Sequence, residues 1–273
     1  MKEGELYVAE ECSGVSIIFA DIVNFTKISS TYSPKDLVLM LNRLYSTFDD
    51  ISESMGLEKI KTIGDSYMVV CGLPWHEVEG FSPDMRKSNS SDGINFYLRD
   101  RTVYHANKAL NFALNILESV KRVNQKYGYD LHLRVGINTG DVVIGVIGKK
   151  KFTFDLWGDA VNLASRMESL GIPDRVSVSE TTYNLVSDKY DFEKQVIDVK
   201  GKGDMGLFVH RPSVDNGCTS TSTNQQEKEK ENGNGNGNDQ PDKQHYNDQH
   251  NNNNNNQNDD SPPIFFNGGG GHL

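Results

Sequence analysis

Cysteine is scarce in this 273-residue chain, with three in all. Cys12, Cys71 and Cys218 are widely spaced and odd in number. That excludes a disulfide framework and a zinc-finger spacing, and it fits a reducing compartment. Basic residues are also in deficit. Lysine and arginine number 28 against 38 aspartates and glutamates, a formal net charge of -10. Sequence-independent nucleic-acid binding and a purely electrostatic membrane anchor both need the opposite balance. No apolar run approaches the roughly 20 residues that cross a bilayer. The opening Met1-Lys2-Glu3-Gly4-Glu5 is acidic and has no apolar region behind it, so it does not read as a signal peptide. An anionic substrate remains compatible with an acidic chain, provided that metals or a few placed cations meet its charge.

Apolar patterning runs from about Val15 to His210 and then stops. Residues 1–14 read as a lead-in and 15–211 as one domain. Residues 212–273 are rich in Asn, Gln, Gly, Ser and charge, including an all-Asn run at 251–256. Such a stretch cannot bury enough apolar surface to offset its ordering entropy, so a disordered tail is expected.

Within the domain, Val15–Ala20 reads as a buried strand. Ser33-Pro34 reads as an N-cap followed by proline at the first helical position. That helix should run to about Met55, with Leu37, Leu41, Leu44 and Phe48 on one stripe. Lys59–Thr62 and Tyr67–Cys71 flank Gly64-Asp65 and read as a hairpin. From Pro74 to Tyr104 the composition predicts a long surface insertion, followed by a helix over His105–Tyr127. A second hairpin is expected at Leu131–Asn138 and Val142–Ile147, turning at Thr139-Gly140-Asp141. A further helix should start near Gly158 and end at Gly171. The class is therefore α+β, an antiparallel sheet with helices on one face.

Four segments could carry chemistry. Phe19-Ala20-Asp21-Ile22-Val23-Asn24-Phe25-Thr26 places a carboxylate at a strand end, ahead of a loop whose backbone could hold an anion. Gly64-Asp65 adds a second carboxylate at a tight turn. Two carboxylates brought together repel unless a cation joins them, and carboxylate oxygens with substrate phosphates suit Mg²⁺. Asn162 and Arg166 lie one helical turn apart and project together. Gly-separated Lys200 and Lys202 suit a loop that folds over phosphate. Taken singly, each also has a plain structural reading, as a capping or turn Asp, a solvated helix face or a basic turn.

In this order, together with Leu133–Gly148 and Phe154–Glu168, these segments resemble the catalytic domains of class III adenylyl and guanylyl cyclases. The resemblance spans about Val15 to His210. It implies a ferredoxin-like fold and a head-to-tail pair of domains with active sites at their interface. It also implies two Mg²⁺ or Mn²⁺ ions per site, held by Asp21 and Asp65 with help from the Ile22 carbonyl. The Ile22–Thr26 backbone would cradle a triphosphate. Arg134 and Lys200 would bind phosphates, Asn162 would orient the ribose, and Arg166 would stabilise charge on the reacting phosphorus. Base choice falls to Lys61 and Asp155, where similar guanylyl cyclases carry Glu and Cys. Lys donates and Asp accepts, which matches adenine.

The resemblance thus implies an adenylyl cyclase making cyclic AMP from ATP. Its alternatives are a guanylyl cyclase and a catalytically silent regulatory domain. One chain carries both residue sets, so a homodimer with two equivalent sites is expected. Placement in the cytoplasm, or on the cytoplasmic face of a membrane within a larger protein, is expected too. Any membrane attachment would come through sequence not in this chain.

Overall fold

The long first strand owes its position to alternation. Along β1 (Val8–Ile22), Ile18, Ala20 and Ile22 point to one core while Val15, Ile17 and Phe19 point to another. A strand buried on both faces reads as one apolar run, with successive side chains on opposite sides. The computed structural model describes residues 8–75, 91–199, 201 and 203–212. All lie in the first of two compact units, Met1–Gly217. Lys200, Lys202, residues 76–90 of the expected insertion and the expected tail beyond Pro212 lie outside the described residues.

Next come α1 (Phe25–Thr31), α2 (Pro34–Ser54), β2 (Glu58–Ile63), β3 (Ser66–Cys71) and α3 (Ser91–Tyr127). Then β4 (Leu133–Ile147), β5 (Thr153–Trp157), α4 (Asp159–Ser169), β6 (Val176–Ser179), α5 (Glu180–Val186), β7 (Phe192–Val199) and β8 (Gly203–His210) complete the unit. The strands form one sheet in the order β2-β3-β1-β4-β6-β8-β7, with β5 paired to β4. Every pairing is antiparallel except β4 with β6.

The α+β class expected from the sequence is the one adopted. Helices α1, α2, α3 and α5 cover one face, where Met40, Leu44 and Phe48 meet Leu110, Phe112 and Ile116. Helix α4 covers the other face through Ala160 and Ala164, so the helices are not confined to the one face expected from the sequence. Ser33 caps α2 as expected, its hydroxyl accepting from the Asp36 N–H at 3.2 Å. The β2–β3 hairpin also forms, with Gly64 at φ 63°.

Three further expectations need correction. Residues 139–141 do not turn: β4 is one 15-residue strand, and Thr139 and Gly140 pair with Ser16 and Val15. Gly140 serves close packing instead, since a Cβ there would come within 2.9 Å of the Ala160 Cβ. Helix α3 begins at Ser91, so residues 91–104 are helical rather than part of a loop. Gly93 costs a helix only about 1 kcal/mol, too little to stop one this long. Strand β1 begins at Val8 rather than Val15, continuing through a register shift between Cys12 and Val15 where Gly14 has φ 68°.

Candidate functional site

Asp21 sits near the end of β1, with Ser66 opposite it on β3 and Arg134 opposite it on β4. Ser66 directly follows the hairpin turn, so sheet register alone brings Asp65 beside Asp21. The turn is tied down from α2, where the Tyr45 hydroxyl donates to the Asp65 carbonyl at 2.9 Å. Tyr45 itself packs against Phe48 and Tyr67. Arg134 donates to Asp21 Oδ2 at 3.1 Å and, through Nε, to Glu168 Oε1 at 2.9 Å.

Three carboxylates therefore crowd one guanidinium. Burial, then Glu168 and Asp65, push the Asp21 carboxyl up to about 6 despite Arg134. Burial likewise raises the Glu168 carboxyl, against the pull of Arg134. A divalent cation between Asp21 and Asp65 would relieve this repulsion. Among the described residues no group of three or more His, Cys, Asp or Glu is arranged to hold a metal. Two hard oxygen donors in an open site are nonetheless the donor set of Mg²⁺, which keeps waters and substrate phosphates as its remaining ligands. The Ile22 side chain is buried in the core, so only its carbonyl could contribute.

Beyond Ile22, Asn24 takes a left-handed conformation (φ 57°) and opens α1. The Lys27 and Ile28 N–H groups bond the Asn24 carbonyl. The N–H groups of Phe25 and Thr26 precede any intrahelical acceptor and have no other acceptor among the described residues, so they can face an anion. Thr26 is exposed there.

Asn162 and Arg166 form a second group. Both project from α4 into a cleft of about 570 Å³, bounded opposite by Val199 and Gly201. Both are exposed, and neither side chain has a hydrogen-bond or ion-pair partner among the described residues; the Arg166 carbonyl accepts from the Leu170 N–H and the Ser169 hydroxyl within the helix end. Neither touches Asp21, Asp65 or Arg134. Lys200 falls between Val199 and Gly201 in the chain.

The third group is Lys61 and Asp155. Their side chains meet at 2.5 Å, with Lys61 34% and Asp155 14% exposed. Asp155 is further fixed by the Leu156 N–H, which donates to its Oδ1 at 2.9 Å. The structure thus gathers the expected residues into a carboxylate cluster, a donor cleft and a donor–acceptor pair. Glu168 and Tyr45 were not foreseen. A signal for Glu168 does exist: it continues the row Ala160–Ala164, placing a charge where helical spacing calls for an apolar residue. Tyr45 has no comparable signal.

Among the described residues no helix is long and apolar enough to cross a membrane. Residues 7–211 match the family described as the adenylate and guanylate cyclase catalytic domain. An adenylate cyclase of Mycobacterium tuberculosis (strain ATCC 25618 / H37Rv) is 40% identical over 199 residues, 72% of this chain and 39% of that one. A membrane guanylyl cyclase of Dictyostelium discoideum is 36% identical over 195 residues, 71% of this chain and 12% of that one. The chain therefore spans about two fifths or less of these relatives. One similar structure is the catalytic core of a rhodopsin-guanylyl cyclase with converted specificity, in complex with ATPαS. Its TM-score is 0.60 at 36% identity, covering 77% of this chain and 98% of that one. With three quarters of its length matched, the chain belongs to the adenylate and guanylate cyclase catalytic domain family.

Proposed function

We propose that the chain is an adenylyl cyclase that converts ATP to 3′,5′-cyclic AMP and pyrophosphate, working as a homodimer. The observation that carries the choice of base is the Lys61–Asp155 pair, a donor and an acceptor held side by side. Lys61 donates to adenine N1, and Asp155 accepts from the exocyclic amine. Guanine presents the reverse pattern along that edge. The ATPαS complex of a guanylyl cyclase core with converted specificity supports a scaffold able to take either base.

Arg134 and the free N–H groups around Thr26 bind the triphosphate, and Lys200 meets its terminal phosphates. Asn162 orients the ribose so that its 3′-oxygen faces the α-phosphorus. That oxygen gives up its proton to solvent and attacks in line, the bond from the α-phosphorus to the oxygen bridging to the β-phosphorus breaks, and pyrophosphate departs with the electron pair. Positioning of this kind makes a large share of the acceleration. Arg166 stabilises charge on the pentacoordinate phosphorus. Two Mg²⁺ or Mn²⁺ ions, held by Asp21, Asp65 and the Ile22 carbonyl, would supply the lowered pKa of the 3′-hydroxyl and neutralise phosphate charge.

The homodimer reading rests on the separation of the two residue sets. Among the described residues the Asn162 and Arg166 side chains have no hydrogen-bond or ion-pair partner and stand apart from the carboxylates, so a second copy brings one chain's set to the other's. A two-fold pair then holds two equivalent sites.

Incubating the purified chain with Mn²⁺ and either ATP or GTP, and identifying products by mass, tests the reading. Cyclic AMP from ATP is expected. Cyclic GMP as the main product would favour the guanylyl reading, which the 36% identity to a guanylyl cyclase keeps open. No product from either nucleotide would favour a silent domain.

A further inference from the structure

The Arg134 guanidinium is gripped from two sides that are not equivalent. Glu168, its partner at Nε, has a side chain 8% exposed, whereas Asp21 is 20% exposed. Arg134 is the one side-chain partner of the Glu168 carboxylate among the described residues. Removing the cation from a buried carboxylate is strongly destabilising, so Glu168 cannot release Arg134 cheaply. Asp21 stands otherwise: it also faces Asp65. With all three carboxylates ionised, the cluster carries an excess of two negative charges over Arg134, the charge of one divalent cation.

We infer that Glu168 is a positioning residue that keeps the Arg134 side chain tethered to α4 while a divalent cation takes Asp21. Arg134 is then a hinged cation. It covers Asp21 before the ion arrives and turns to the substrate's phosphates afterwards, without leaving Glu168. The inference rests on the reading of Asp21 and Asp65 as the carboxylates that bind the ion. Guanidinium and ion compete for Asp21, and Glu168 sets the terms. While Nε is held, Arg134 reaches Asp21 through a terminal nitrogen alone. Released from Glu168, its fork can close on a carboxylate with two parallel bonds, the stronger arrangement.

The test is Mn²⁺ binding to the nucleotide-free full chain, followed by electron paramagnetic resonance of the free ion. Circular dichroism checks that each variant folds. Asp65→Asn should weaken binding, which locates the ion at the cluster. Arg134→Gln should tighten it about threefold or more, because the competing cation is gone. Glu168→Gln should weaken it about tenfold in the chain that has Arg134, and about threefold or less in the Arg134→Gln background, the coupling expected within one charge network. An equal loss in both backgrounds overturns the positioning role. Should Glu168→Gln fail to fold, Arg134→Gln decides alone: binding no tighter than wild type overturns the competition. Should Arg134→Gln fail instead, Glu168→Gln decides: binding as tight as wild type overturns the positioning role. A wild-type chain that binds no Mn²⁺, or Asp65→Asn that binds like wild type, overturns the metal reading and the inference with it.

Discussion

Lys61 and Asp155 are 94 residues apart in sequence, yet their side chains meet at 2.5 Å. Strands β2 and β5 are not neighbours in the sheet. The contact therefore depends on the β4–β5 hairpin folding over the face that α4 covers, where Ile60, Phe154 and Val161 share one apolar cluster. In the proposed site, a donor and an acceptor fixed by tertiary packing would lose little further freedom on meeting a base, so their preference would be expressed in affinity.

Asp21→Ala and Asp65→Ala should each abolish turnover. The pairing of β1 with β3 puts the two carboxylates side by side, and each replacement leaves a single carboxylate. Cyclic nucleotide formation at saturating Mn²⁺ is the assay. Activity near that of wild type in either variant would remove the metal assignment.

The raised Asp21 carboxyl gives a pH dependence with a definite sign. Its pKa is about 6 in the fold against an ordinary 3.8. The native chain thus holds this proton more tightly than the unfolded chain. Asp21 favours the fold at low pH, and that contribution is lost as pH rises from about 4 through about 6. Metal-free Asp21→Asn should therefore gain in melting temperature relative to wild type as pH rises across that window. Wild-type Mn²⁺ affinity should fall as pH drops through the same range, since the ion needs the ionised carboxylate. A constant difference in melting temperature across the window would contradict the assignment.

Gly136→Ala should damage both the fold and the site. A Cβ at Gly136 would lie 2.5 Å from the Glu168 Cα and closer still to its nitrogen. Backbone cannot yield there without moving α4 off β4, and overpacking of this kind costs about 3 kcal/mol or more. The same shift would carry Glu168 away from Arg134 and displace Asn162 and Arg166. Urea unfolding with a wild-type midpoint would show that the helix does not pack as closely as described.

Much of this arrangement was legible in the sequence. Ser33-Pro34 and Gly64-Asp65 are short-range signals, and tertiary context left them unchanged. Gly140 misled because a glycine between Thr and Asp looks like a turn, whereas its missing side chain makes room for Ala160, 20 residues further on. Gly93 misled in the same way within the composition of 74–104. Glycine tells where backbone is permissive or approached closely, and only the fold says which. In the site, residue types and spacing pointed to Asp21, Asp65, Asn162 and Arg166. The grip of Glu168 on Arg134 and of Tyr45 on the Asp65 carbonyl arises from packing across the sheet, which no local pattern encodes.

Mixing chains tests the homodimer. Asp21→Ala and Arg166→Ala should each be inactive alone, because every site then lacks one group. In a heterodimer one of the two sites has an intact set, so activity should return. Two differently tagged chains, co-purified to prove pairing, make the outcome decisive. Proven heterodimers without activity would mean that the two residue sets do not meet across an interface.

The most direct measurement is kcat/KM for ATP and for GTP, in wild type and in the Lys61→Glu/Asp155→Cys chain. A site built to hydrogen-bond one purine edge leaves buried polar groups unpaired when offered the other, at about 1–3 kcal/mol for each mismatch. Two mismatches predict that wild type favours ATP by a hundredfold or so, on the order of 3 kcal/mol. The double variant should lose most of that preference. A wild type that favours GTP, or a double variant that keeps the wild-type ratio, would contradict the assignment of this chain as an adenylyl cyclase.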